Sequence, residues 1–276
     1  MAHCIVAEAE AILDTEYKVL DKGFVRLIDY CGSDQRIVQA TKLSYGEGTK
    51  GIRNTEELID YLIRHEYTAP LEQVVLSFHL KMPIFVARQW AKHRMGILNE
   101  LAGQYSIMKN EFYIPERSNS VPQDNRQERT LEAFTTEQSE EIRSSLIKEQ
   151  QASYESYNSH IQSGLTKTLA GINLPLSLYT EFYWQMDLHN LFQFLKTKLD
   201  ANAQYEIRQY AKVILEITKK VTPITTEAFE KNVNRSVSFN TEEMKALRDI
   251  LAGKENPLTD KKLVRFEEKL KTGKQL

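Results

Sequence analysis

Cysteine is scarce in this chain: Cys4 and Cys31 are the two among 276 residues, and they have no C-x-x-C spacing. So few cannot build a disulfide framework, and the expected compartment is a reducing one, the cytoplasm. Long apolar runs are also lacking. None approaches the roughly 20 residues of a membrane span, and the opening MAHCIVAEAEAIL has no basic leader or long apolar segment, so neither a membrane anchor nor secretion is expected. No sign of charge dominates: 36 Lys and Arg face 38 Asp and Glu, for a net charge of -2. That balance argues against a nucleic-acid coat, but local basic clusters could still hold small anions. The six histidines include no H-x-x-x-H pair, so no metal site is expected. No G-x-S-x-G elbow or internal repeat appears.

What is present suits one large core. With 41% hydrophobic and 27% charged residues, the chain reads as a main domain over residues 1–231 and a charged helical appendage over 232–276. Residues 23–30 alternate apolar and polar and read as a strand, as do residues 73–80 with Val74, Leu76, Phe78 and Leu80 on one side. Ser33 or Asp34 can cap one helix, and Asn54 with Glu57 begins another. A strand-like run ends at Pro115, followed by a polar loop over 117–129. Further helices are expected over 136–160, 189–199 and 202–221, the last ended by Pro223. Gly46, Gly48 and Gly51 spell G-x-G-x-x-G, yet a helix precedes them where a dinucleotide site needs a strand. A flexible glycine loop is the better reading.

Chemistry concentrates in residues 88–106, RQWAKHRMGILNELAGQYS. A helix over 83–93 would place Arg88, Gln89, Lys92 and His93 within an arc of about 140°. A solvated face is the plain alternative. Against it, Asn99 and Glu100 follow in an expected turn between Gly96 and Gly103, where backbone can approach a ligand closely.

This segment resembles the signature of the flavin-dependent thymidylate synthases, an arginine-histidine-arginine triplet, seven intervening residues and a serine. LDKGFVRLIDYCGSD, PLEQVVLSFHLKMPIFVARQW, EFYIP, INLPLSLYTEFYW and DANAQYEIRQYA resemble that family in the same order. The resemblance spans about residues 17 to 230, and the tail is similar to an extension of some members. It implies a mixed α/β (α+β) fold, a sheet packed with long helices rather than a Rossmann fold. It also implies a homotetramer holding FAD and a pyrimidine nucleotide where subunits meet. The implied reaction is reductive methylation of dUMP to dTMP, with methylenetetrahydrofolate and NADPH as co-substrates. The flavin carries the hard chemistry. No enzyme cysteine needs to attack uracil, which leaves Cys4 and Cys31 structural.

Carried over by position, His93, Arg94 and Glu100 stand at flavin-binding places, Glu100 between flavin and nucleotide. Asp187, His189 and Gln193 stand where asparagine, arginine and asparagine are common on the flavin side. Arg88, Gln89, Lys92, Glu100, Ala102, Gly103, Gln104, Gly171 and Lys198 occupy nucleotide-binding places, and Lys198 occupies that of the catalytic arginine. Several depart from the pattern: Lys92, Gln104, Gly171 and Lys198 replace arginines, Ala102 replaces the serine, and Tyr67 and Asn202 replace histidines. Lys92 and Lys198 keep a charge without the planar fork of arginine. At roughly 1.5 to 3 kcal/mol for each charge-assisted hydrogen bond, uncompensated losses of about 4 kcal/mol would weaken dUMP binding about a thousandfold. The alternatives are the same chemistry on another pyrimidine nucleotide, or a non-catalytic FAD-binding paralogue.

Overall fold

The computed structural model describes residues 4–45, 54–116 and 135–272. The Gly46, Gly48 and Gly51 loop and the polar stretch 117–129 lie outside them. Five strands, β1 (Tyr17–Val19), β2 (Gly23–Cys31), β3 (Val75–Pro83), β4 (Ile97–Glu100) and β5 (Tyr179–Asp187), form one sheet in the order β1-β2-β3-β5-β4. Every neighbouring pair is antiparallel. The helices α1 (Ala7–Glu10), α2 (Asp34–Tyr45), α3 (Thr55–Arg64) and α4 (Ile84–Trp90) come first. They are followed by α5 (Thr136–Gln162), α6 (Lys167–Ala170), α7 (Leu188–Lys198), α8 (Tyr205–Val221), α9 (Pro223–Phe229), α10 (Thr241–Leu251) and α11 (Asp260–Thr272).

The strand pleat sends alternate residues to one face. Val25 and Leu27, Leu76, Phe78 and Leu80, and Phe182, Trp184 and Met186 are all buried there. Register places Leu27 beside Phe78 and Phe78 beside Trp184. Helices α7 and α8 cover this face, through Leu191, Phe194 and Leu195 and through Ile207, Tyr210 and Ile214. Each such side chain contributes about 1.5–3 kcal/mol by leaving water. On the opposite face His79 is half-buried, with its Nδ1 2.6 Å from Arg26 Nη2 and its Nε2 3.3 Å from Glu181. Burial, and then the Arg26 charge, hold its pKa below the ordinary histidine range.

Sequence and structure differ at several places. The helix expected over 83–93 is shorter. Pro83 still belongs to β3, paired with Tyr179, and α4 closes at Trp90, after which His93 N–H bonds back to Trp90 O at 3.0 Å in a tighter turn. Asn99 and Glu100 lie in β4 opposite Tyr183 and Phe182, not in a turn. The run before Pro115 forms only an isolated bridge, Phe112 with Leu178, made by Tyr113 N donating to Ser177 O at 2.8 Å and Tyr179 N to Glu111 O at 2.9 Å. Pro223 both follows α8 and opens α9, where its missing N–H is harmless. The capping boundaries fared better: Asn54 accepts from Glu57 N at 2.7 Å as expected. The elements α1 and β1 were not foreseen, being too short to show a period.

Asp34 ties the first third of the chain to the last. Its buried carboxyl accepts from Ile224 N at 3.0 Å, Thr225 N at 2.9 Å and Thr225 Oγ1 at 2.5 Å, capping α9 from afar. Asp34→Ala would orphan these donors and is expected to destabilise the fold by about 2–3 kcal/mol, measured as a shift of the urea midpoint. Burial raises the Asp34 pKa against the pull of these donors. The folded state therefore keeps its proton to higher pH than the unfolded chain. This contribution is full below the unfolded pKa and is lost as pH rises through the folded one. The gap between wild type and variant should accordingly narrow as pH rises from about 4.

Helices α10 and α11 have a core of their own, Ala246, Leu258 and Phe266. Asn240 and Glu243 form a capping box, and Lys269 reaches both oxygens of Glu243 at 2.7 and 2.8 Å. That ammonium holds the Glu243 carboxyl below its ordinary pKa.

Candidate active site

Trp90 anchors the site. It is fully buried, with its ring 4.4 Å from Phe194, 5.1 Å from Trp184 and 6.3 Å from Tyr210. The turn that follows is pressed onto the same aromatics: a Cβ at Gly96 would lie 2.4 Å from Trp184 Nε1, so only glycine fits. Between these two fixed points the chain presents Lys92 to solvent and half-buries His93, whose ring meets Phe194 edge-on at 4.9 Å.

Lys198 arrives from the last turn of α7. Burial lowers its pKa, and the neighbouring Lys92 ammonium lowers it further. His93 is likewise held below the ordinary histidine range by burial and then by Lys198. Three basic groups from two elements thus face one another. Among the described residues, no carboxylate stands within ion-pair distance of Lys92 or Lys198. Mutually repelling cations beside a neutral imidazole make a notch that an anion would relieve. Gln89 joins the group, its Nε2 donating to Oε1 of Gln204, just ahead of α8.

Other expected residues stand elsewhere on the chain. Glu100 accepts from Thr180 Oγ1 at 2.7 Å. Ala102, Gly103 and Gln104 lie in a turn closed by Tyr105 N bonding to Ala102 O at 3.1 Å, with Gln104 exposed. Gly171 opens a short 3-10 turn after α6, where a Cβ would meet Leu174 and Tyr157 at an ordinary 3.6 and 3.7 Å. Arg88 and Arg94 are exposed. No hydrogen bond or ion pair among the described residues joins Glu100, Ala102, Gln104 or Gly171 to Lys92 or Lys198 within this chain. Around β4 the surface is apolar: Met95 is 69%, Ile97 71% and Tyr105 76% exposed.

His189 and Gln193 share one face of α7 and line a cavity of about 830 Å³ together with Tyr67, Thr68, Phe192 and Lys196. Its aromatic wall and donor-rich rim suit a large, planar, anionic ligand. Asp187 is committed locally, accepting from Asn190 N at 2.9 Å and Asn190 Nδ2 at 2.7 Å as the cap of α7. Gln204 and Thr180 were not singled out from sequence. Of these only Gln204 left a trace, a long amide at a helix start where a shorter residue is the rule.

The sheet and its helical cover are the fold of a pyrimidine-nucleotide methylase. A UMP/dUMP methylase, PolB from Streptomyces cacaoi bound with 5-Br UMP, superposes with a TM-score of 0.68 at 25% identity, over 79% of this chain and 97% of that one. The model of the thymidylate synthase complementing proteins matches residues 26–224, and that of the thymidylate synthase ThyX C-terminal domain matches residues 237–276. The flavin-dependent thymidylate synthase of Treponema denticola is 52% identical over 266 residues, covering 96% of this chain and 100% of that protein. The Thermus thermophilus enzyme of the same name is 49% identical over 233 residues, covering 84% and 85%. The chain belongs to the flavin-dependent thymidylate synthase family.

Proposed function

We propose that this protein converts dUMP to dTMP by reductive methylation, acting in the cytoplasm as a homotetramer with FAD. Methylenetetrahydrofolate gives the methylene group and NADPH the reducing electrons, so that tetrahydrofolate and NADP⁺ leave with dTMP. Bound flavin supplies the hydride transfer. The single observation that carries the reading is the pair of Lys92 and Lys198 ammoniums beside His93, with no carboxylate at ion-pair distance among the described residues, within a chain 52% identical to a protein of that name.

Lys92 and Lys198 draw the nucleotide anion into the notch, and Gln89 orients it with hydrogen bonds. Lys198, the more buried of the two lysines, is the catalytic residue and faces the reacting base. His93 and Arg94 hold the flavin, with His189 and Gln193 along its far wall. Glu100, Ala102, Gly103, Gln104 and Gly171, which form no hydrogen bond or ion pair with the lysines among the described residues, belong to the site through a neighbouring copy, whose approach would cover the apolar surface around β4. Residues 1–231 form the catalytic unit and 232–276 a helical appendage, a division supported by the separate cluster of Ala246, Leu258 and Phe266.

Tritium release from [5-³H]dUMP, in the presence of FAD, NADPH and methylenetetrahydrofolate, is the expected result. Release no greater than that of a control without protein would overturn the reading. [5-³H]UMP run in parallel reports whether the loss of arginine at Gln104 and Gly171 has widened the acceptor range.

A further inference from the structure

Gln204 sits at the N-cap of α8, with φ -51° and ψ 138°. That position favours Ser, Thr, Asp or Asn, whose short side chains reach back to the first N–H groups of the helix. Gln204 makes no such bond. Its Oε1 instead accepts from Gln89 Nε2, across 115 positions of sequence.

The support beneath this contact is firm. Gln204 O accepts from Arg208 N at 3.1 Å, which starts the helix and fixes the backbone. The preceding loop is closed by Asn202 N to Asp200 Oδ1 at 2.8 Å and by Ala203 N to Asp200 O at 3.0 Å. The Arg208 guanidinium also donates to Ala201 O at 2.5 Å. Lys198 lies just before this loop and Gln89 just before the Lys92 turn, so the amide pair fastens together the two segments that carry the cations.

A glutamine amide offers two donors on one side and a carbonyl on the other, and rotation exchanges them. Rotating either amide alone would break the bond, while rotating both together keeps it, so the pair holds the Gln89 side chain in place. We infer that Gln204 is a positioning residue, holding the Gln89 side chain where it meets the acceptor nucleotide. This rests on the assignment of Gln89 to the nucleotide under the proposed function.

The experiment is a dUMP titration of the flavin-loaded protein, followed by flavin absorbance. Gln204→Ala should weaken the dUMP Kd about tenfold at unchanged flavin content, the loss of one ordinary hydrogen bond. Gln204→Glu keeps the acceptor and, despite the negative charge that it adds, should bind dUMP more tightly than Gln204→Ala does. The Gln89→Ala, Gln204→Ala double variant should bind no more weakly than Gln89→Ala alone, since one residue acts through the other. A Gln204→Ala Kd like that of wild type, a Gln204→Glu loss equal to that of Gln204→Ala, or additive losses in the double variant would each overturn the inference. Should wild type show no response to dUMP, the proposed function fails, and a second readout still decides. The Gln89 side-chain ¹⁵N–¹H signal, assigned by its loss in Gln89→Ala, should move toward the position of a free amide in Gln204→Ala and away from it in Gln204→Glu. An unmoved signal in Gln204→Ala refutes the positioning role whatever the substrate.

Discussion

Replacing Lys198 by methionine should lower kcat/KM for dUMP by about a hundredfold while leaving flavin content unchanged. Methionine keeps an unbranched stem and removes the ammonium, so the packing loss is small and the charge loss complete. One charge-assisted hydrogen bond contributes about 1.5–3 kcal/mol, equivalent to roughly 10- to 150-fold. Lys198→Arg should equal or exceed wild type, because the planar guanidinium offers paired donors where the ammonium offers a point charge. A second reading comes from His93. Lys198 is one of the two causes that depress its pKa, so the His93 titration should move upward in Lys198→Met, as followed by NMR of the ring protons. Steady-state rates within threefold of wild type would remove Lys198 from the reacting centre.

Gly23→Ala should destabilise the fold by about 3 kcal/mol or more, near the upper end for overpacking a core. A Cβ there would lie 1.9 Å from Tyr210 Oη, 2.7 Å from Lys81 O and 2.8 Å from Val19 O. Two of these neighbours are backbone in β3 and β1, so neither can swing aside. The third belongs to a tyrosine that is fully buried and donates to Lys81 O at 2.7 Å. Moving that ring would break the bond and disturb the packing of Trp90, whose centroid is 6.3 Å away. The damage should therefore pass from sheet to site, lowering the urea midpoint and dUMP affinity together. A midpoint unchanged within error would mean that the strands part without penalty.

How much of this was legible in the sequence depends on what kind of interaction decided each part. The strands 23–30 and 73–80 and the helix after Asn54 follow from local periodicity and capping, and the structure keeps them nearly in place. Where packing at a distance decides, the periodic reading failed. Helix α4 stops early because buried Trp90 and the close approach of Gly96 to Trp184 pin both ends of the next turn. Asn99 and Glu100 became strand because β5 offered an edge. At the site, the residue types of the 88–106 segment were visible from motif alone. The resemblance had already assigned Lys92 and Lys198 to one nucleotide site, but the pairing of Gln89 with Gln204 needed the fold, because partners over a hundred positions apart leave no shared spacing. The commitment of Asp187 to capping α7 was hidden for a simpler reason. Its partner Asn190 is three residues away, but the motif reading considered it only as a ligand contact.

The order of strands carries a consequence for how the chain is made. Central β3 has one neighbour, β2, upstream, and its other neighbour, β5, far downstream, with Val75 paired to Asp187. As synthesis proceeds from the N-terminus, β3 leaves the ribosome with a bare edge and waits while all of α5 is translated. Until Asp187 emerges, that edge can pair with any other extended chain. A ribosome stalled within α5 would thus release a fragment holding three paired strands, a β4 segment without its partner, an uncovered apolar face and a free template for aggregation. Synthesis of this protein should consequently lean on nascent-chain chaperones more than its finished, short-edged sheet would suggest.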